Sequence, residues 1–277
     1  MRWCYMGGCW FLMLLIGTCS GAQDFSVSEV LANAISQNRV VDLTHVFSPQ
    51  TIYWPTEDGF QLIRGKAGVT EKGYFYAANR FNAAEHGGTH VDAPRHFSAE
   101  GQTVEAIPLG RLMGDVAVVD VVAACRENRD YQIDISDLRR WEEIQQRPLF
   151  DMIVFFRTGY AKRWPDRKKY LGTEKRGDEG VQQLHFPGLA PRAARWLAEE
   201  RRVRSVGIDT ASIDYGQSRE FGSHVVLFAH QIPAIENLGD LSRLPSFGAT
   251  VIALPMKISG GSGSPTRVIA ILPDKMD

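Results

Sequence analysis

The sequence predicts a single α/β domain with a central mixed β-sheet flanked by helices. Two observations carry that reading. Several apolar runs are continuous rather than alternating, as in Val116-Ala117-Val118-Val119 and Ile153-Val154-Phe155-Phe156, and amphipathic helical stretches are interspersed with them. Strands that are apolar on both faces need cover on both sides, which flanking helices supply. At the start, Ser26-Val27-Ser28-Glu29 has the form of a capping box and opens a helix reaching about Gln37. A strand follows over 40–44, then an aromatic loop containing Tyr53, Trp54 and Phe60. Further strands are expected over 74–81, 116–122, 152–156, 203–208, 250–254 and 268–272. Helical faces are marked by Leu138, Trp141 and Ile144, by Leu189, Ala193, Trp196 and Leu197, and by residues 218–231, which stop ahead of Pro233.

Composition narrows the function classes. The 277 residues are 44% hydrophobic and 23% charged with a formal net charge of −1, ordinary for a globular domain. Lys and Arg are scattered, so the basic stripe that nucleic acid or an anionic membrane requires is missing. The segment Gly260-Gly261-Ser262-Gly263-Ser264-Pro265 lacks the Gly-Lys-Ser/Thr ending of a phosphate-binding loop and reads instead as a mobile loop near the site. A Gly-x-Ser-x-Gly elbow for a serine hydrolase is also missing.

The N-terminus is distinctive. Arg2, an apolar run from Cys9 to Ile16 and the small residues Gly17, Thr18, Ser20, Gly21 and Ala22 give the order of a secretory signal peptide, expected over residues 1–22. The run is too short to span a bilayer, which takes about 20 apolar residues. Cleavage would leave residues 23–277 as one domain, secreted or in the secretory lumen, without membrane attachment. Cys4, Cys9 and Cys19 would depart with the signal, leaving Cys125 as a buried small hydrophobe and no internal disulfide.

The densest chemistry lies in residues 86–97, His-Gly-Gly-Thr-His-Val-Asp-Ala-Pro-Arg-His-Phe, with three of the seven histidines and a carboxylate close together. Gly and Pro cost roughly 1 and 3 kcal/mol in a helix interior, so helical spacing does not arrange these groups. On a straight strand at about 3.3 Å per residue, His86 and His90 would be about 13 Å apart, too far for one ion. A bend at Gly87-Gly88 would bring them together, and the pattern reads as a folded metal-ligand loop. His45, His185 and His230 read as structural. His224 and Glu236 are groups of ligating type whose convergence on the loop periodicity alone does not decide.

The block 86–97 resembles the His-x-Gly-Thr-His-x-Asp-x-Pro-x-His motif of the cyclase or kynurenine formamidase (arylformamidase) family of metal amidohydrolases. Asp42-Leu43-Thr44-His45, Trp54-Pro55, residues 207–214, His224 and Ile235-Glu236-Asn237-Leu238 follow in the family's order. The resemblance implies that His86, His90 and Asp92 hold a first metal, and that Asp92 and Glu236 are shared with a second held also by His224. It assigns His96 as general acid and base and Trp54 as the aromatic contact to substrate. It further implies a swivelling β/β/α fold, one or two zinc or manganese ions, and a homo-oligomer, dimer or tetramer, with the site near a subunit boundary. The implied reaction is hydrolysis of an aryl amide carbonyl: the formamide of N-formyl-kynurenine, a step of tryptophan breakdown, or the lactam of isatin. Thr56-Glu57-Asp58-Gly59-Phe60 after Trp54-Pro55, the stretches Arg157-Thr158-Gly159-Tyr160 and Arg163-Trp164-Pro165-Asp166-Arg167, and the glycine-rich tail look more like the isatin hydrolase branch. A secreted protein binding metal or an aromatic ligand without turnover is the alternative, against which the base at His96 argues.

Overall fold

Ser26 caps the first helix as its sequence predicts: the Glu29 amide donates to Ser26 Oγ at 3.3 Å and the Ser26 amide to Glu29 Oε2 at 2.8 Å. The structure, a computed structural model, describes residues 26–274. The expected signal peptide and Cys4, Cys9 and Cys19 lie outside the described residues.

In chain order the elements are α1 (Val27–Ser36), β1 (Val40–Asp42), β2 (Gln61–Ile63), β3 (Ala67–Val69), β4 (Phe75–Ala77), β5 (Arg80–Asn82), β6 (His90–Asp92), β7 (Met113–Asp120), α2 (Val122–Glu127), β8 (Gln132–Ile133) and α3 (Ile135–Gln145). There follow β9 (Ile153–Arg157), α4 (Arg167–Leu171), α5 (Gly177–Gln182), β10 (Gly188–Leu189), α6 (Pro191–Glu199), β11 (Ser205–Ile208), α7 (Gly222–Ala229), β12 (Ala234–Glu236), β13 (Ala249–Pro255) and β14 (Gly263–Ile271).

The main sheet runs β1-β14-β13-β7-β9-β11-β12-β6, and β6 also pairs with β14. Seven strands therefore close into a mixed barrel, with β1 added outside the ring. The segment β7-β9-β11-β12 is parallel and every other pairing in this sheet is antiparallel. Parallel neighbours need long crossovers, and the helices lie in them: α2 and α3 between β7 and β9, α4 to α6 between β9 and β11, α7 between β11 and β12.

Two apolar clusters explain the continuous runs. Val154, Phe156, Val206 and Ile208 pack with Leu138, Trp141, Trp196, Leu197 and Phe228 of the helical layer. Ile153 and Phe155, on the opposite face of the same strand, pack with Val91, Val116, Val118, Ile235, Val251 and Val268 within the ring. Both faces of β9 are covered, and Cys125 is buried in the helix-side cluster, as its sequence setting predicts.

Three local readings change. The run 74–81 is not one strand: β4 pairs with β3 and β5 with β2, forming an exposed ribbon broken between Ala77 and Arg80. Leu189 belongs to β10 rather than to a helix, because Pro191 at the first turn starts α6 after it. The helix expected over 218–231 is confined to Gly222–Ala229.

Candidate metal centre

The bend expected at Gly87-Gly88 is present. Gly88 has φ +58°, and its amide donates to the Ile52 carbonyl at 3.0 Å. Gly87 forms a bridge with Tyr53, where an added Cβ would overlap the Tyr53 ring, so the loop needs glycine for close approach. Beyond the bend, His90 and Asp92 lie two residues apart on β6 and share a face. Glu236 of β12 is the register partner of His90, which brings a distant carboxylate beside them. His224 comes from α7.

The five expected ligands converge in two groups that share Asp92: His86, His90 and Asp92, and then Asp92, His224 and Glu236. Within each group the ligating atoms lie within 4.8 Å of one another. His86 Nδ1 is 2.6 Å and His90 Nε2 3.0 Å from Asp92 Oδ1. His224 Nε2 is 3.3 Å from Asp92 Oδ2 and 3.1 Å from Glu236 Oε1. His90, Asp92, His224 and Glu236 are all buried.

The outer hydrogen bonds fix which nitrogens face inward. His90 Nδ1 donates to the Gly88 carbonyl at 2.9 Å, and His224 Nδ1 donates to Asp214 Oδ2 at 2.7 Å. Each Nε2 is then a lone pair turned toward the carboxylates. His90 Nε2 is buried without a hydrogen-bond partner. Lone pairs facing carboxylate oxygens at these distances repel unless a cation or proton lies between them, so the donor set fits a divalent ion. Without an ion a proton takes that place: burial alone would lower the pKa of His90, but the charges of Asp92 and Glu236 outweigh it and lift the group to about 9. Glu236 is pushed upward by its burial and then by the negative charge of Asp92, a conflict that added positive charge would relieve. Its Oε1 also accepts the Ile213 amide at 2.6 Å, which orients it.

His96 ends a short 3-10 turn, Pro94–His96, and stacks on His86 with ring centroids 3.7 Å apart and planes at 15°. No protein group among the described residues hydrogen-bonds its ring. Burial, the largest influence, lowers its pKa to about 4, with His86, His224 and His90 adding to the effect and Asp92 opposing it. Trp54, His96 and the five ligands all border one cavity of about 370 Å³, walled also by Ile52, Tyr53, Phe97 and Phe221. Trp54 lies 6.1 Å from the Phe221 ring, and Phe97 stacks on His224 at 4.7 Å.

Sequence reasoning gave no role to Asp214, Glu85, Ser262, Phe97 or Phe221. Asp214 fell within a family-like stretch, but only the fold shows it behind His224. Ser262 lies in the glycine-rich segment that reads as a mobile loop; the segment is near the site, yet it is tied down, with the Ser262 carbonyl accepting from Ala93 at 2.9 Å and the Gly261 carbonyl from Val104 at 2.9 Å. His45 stacks on Trp164 at 4.1 Å and does not border the cavity.

The closed mixed barrel with this cluster is shared with metal-dependent hydrolases. Residues 41–215 match the Cyclase family model. The chain is 28% identical over 249 residues to an isatin hydrolase of Roseibium aggregatum, covering 84% of this chain and 92% of that one. It is 27% identical over 242 residues to a kynurenine formamidase of Erythrobacter litoralis, covering 86% of this chain and 97% of the relative. The structure of isatin hydrolase A from Labrenzia aggregata bound to benzyl benzoate superposes with a TM-score of 0.79 at 30% identity, covering 90% of this chain and all of that one. The protein belongs to the cyclase family, and it is an amidohydrolase acting on carbon–nitrogen bonds other than peptide bonds.

Proposed function

We propose that the protein hydrolyses the carbonyl–nitrogen bond of a neutral aryl lactam of the isatin type. The observation that carries this reading is the cavity of about 370 Å³, aromatic along its walls and bordered by both ligand groups. His86, His90 and Asp92 would hold one zinc or manganese ion, and Asp92, His224 and Glu236 a second. A divalent ion in such a site lowers the pKa of water from 15.7 to about 7 and polarises a carbonyl. Trp54 offers a flat apolar wall against which the substrate's ring can lie. His96, kept neutral by burial, takes a proton from the attacking water and returns it to the aniline nitrogen as the carbon–nitrogen bond breaks. That nitrogen is a poor leaving group until it is protonated.

N-formyl-kynurenine is the second reading, supported by the relatives named kynurenine formamidase. Its amino acid end carries an ammonium and a carboxylate: Glu57 or Glu85 could pair the ammonium, but among the described residues no Lys or Arg borders the cavity to pair the carboxylate. A neutral substrate avoids that unpaired anion, which ranks the lactam first.

A homo-oligomer, dimer or tetramer, is part of the proposal. Its support is the ribbon of residues 61–82, which exposes Ile63, Val69, Tyr74, Phe75 and Phe81 to solvent in one chain. Secretion is proposed from the charged, apolar and small-residue order of residues 1–22.

The test is kcat/KM of the metal-replete protein for isatin and for N-formyl-kynurenine, with a chelated control. Chelator-sensitive turnover that favours isatin is expected. No turnover of either substrate with metal bound would overturn the proposal.

A further inference from the structure

Glu85 Oε2 accepts both the amide of Ser262, at 2.9 Å, and its hydroxyl, at 2.6 Å. Ser262 Oγ lies 2.9 Å from His86 Nε2. A carboxylate only accepts, so the Ser262 proton goes to Glu85, and the serine oxygen is left to accept from His86. His86 therefore carries its proton on Nε2 and turns the Nδ1 lone pair toward Asp92 Oδ1, 2.6 Å away. This polarity is opposite to that of His90 and His224, whose protons are on Nδ1. Without the serine relay, a proton on His86 Nδ1 donating to Asp92 would be the natural arrangement of that pair, and it would block the ligand position.

The surroundings hold Ser262 in place. Its carbonyl accepts from Ala93 at 2.9 Å, and the nearby Gly260 amide donates to Glu105 Oε1 at 2.8 Å. A Cβ at Gly263 would overlap the His86 ring, so the segment approaches the imidazole as closely as glycine permits.

We infer that Ser262 and Glu85 are positioning residues that set the His86 tautomer, so that Nδ1 rather than Nε2 is the metal-ligating nitrogen. The role explains why a serine is embedded among glycines at this point in the chain. It rests on reading the cluster as a metal centre, and it is independent of which amide is the substrate.

The experiment titrates the chelator-stripped protein with Mn²⁺ by calorimetry and records the ring ¹⁵N shifts of His86 in the metal-free state. Ser262→Ala should weaken Mn²⁺ binding by about 10- to 100-fold, the usual effect of losing such an outer partner, and should move the His86 proton to Nδ1. Glu85→Gln should do the same, because the amide can donate to Ser262 and reverse the relay. Ser262→Thr retains the hydroxyl and should restore both readouts, and E85Q stands in if S262A does not fold. Wild-type affinity and tautomer in S262A and E85Q would overturn the inference. Failure of the unaltered protein to bind Mn²⁺ or Zn²⁺ would overturn the metal-centre reading itself.

Discussion

One oxygen of Asp214, Oδ2, accepts both the ring Nδ1 proton of His224, at 2.7 Å, and its backbone amide, at 3.1 Å. The other oxygen accepts the Ser223 amide at 3.0 Å. Asp214 thus anchors the first turn of α7 and orients the imidazole on it. The pairing lowers the Asp214 pKa despite burial, so the group remains a carboxylate able only to accept.

Asp214→Asn should therefore weaken divalent binding at Asp92, His224 and Glu236 by about 10- to 100-fold, since an amide can present a donor to Nδ1 and release the tautomer. Metal titration of the stripped variant checks this. Unchanged affinity would mean that His224 is held in place by α7 alone.

Replacing His96 with Ala should leave metal content intact and reduce kcat by about 10²- to 10⁴-fold, the range for a lost general acid–base group. Elemental analysis beside steady-state kinetics separates the possibilities. Loss of metal together with activity would identify His96 as a ligand.

The ligand groups are legible in the sequence to different degrees. His86, His90 and Asp92 stand out because they are local, and their glycine bend can be argued from strand rise alone. His224 and Glu236 needed the family resemblance: Glu236 reaches His90 only because β12 pairs with β6, and His224 arrives separately on α7, oriented by Asp214. Closure of the ring was not legible, since β6 and β12 are three-residue strands whose pairing partners lie far along the chain. The long apolar strands β7 and β9 were readable because burial on both faces marks them. The relay through Ser262 was hidden, because a serine among glycines has the composition of a loop.

Removing metal should lower the melting temperature. An ion at 100 times its Kd stabilises the folded state by about 2.7 kcal/mol, and each kcal/mol shifts Tm by about 2–4 °C in a domain of this size. Chelation should thus cost about 5–10 °C, read by differential scanning calorimetry and reversed by added Mn²⁺ or Zn²⁺. An unchanged Tm would count against a metal bound in the folded state.

Acid sensitivity should have a contribution from His45, whose pKa burial pushes down to about 4. Above pH 6.5 the residue is neutral in both folded and unfolded chains. Between pH 6.5 and 4 the unfolded chain takes a proton that the folded chain refuses, so stability falls as pH falls, levelling near pH 4 at a loss of about 3 kcal/mol. His45→Phe keeps a ring beside Trp164 and cannot protonate. Chelated protein unfolded in urea from pH 7 to pH 4 should lose stability less steeply with this variant; an identical slope would remove His45 as a contributor.

Strand β6 has a neighbour on each side, β12 and β14, and carries His90 and Asp92. It is the last stave of the ring, without a free edge along which to peel away. The reactive cluster is therefore fastened to the hoop itself, whereas in many enzymes it hangs from loops that evolve freely. The partly exposed Trp54 and Phe221 can be exchanged without touching that strand, but altering β6 disturbs chemistry and architecture together. One three-residue strand thus both closes the barrel and seats two of the five ligands.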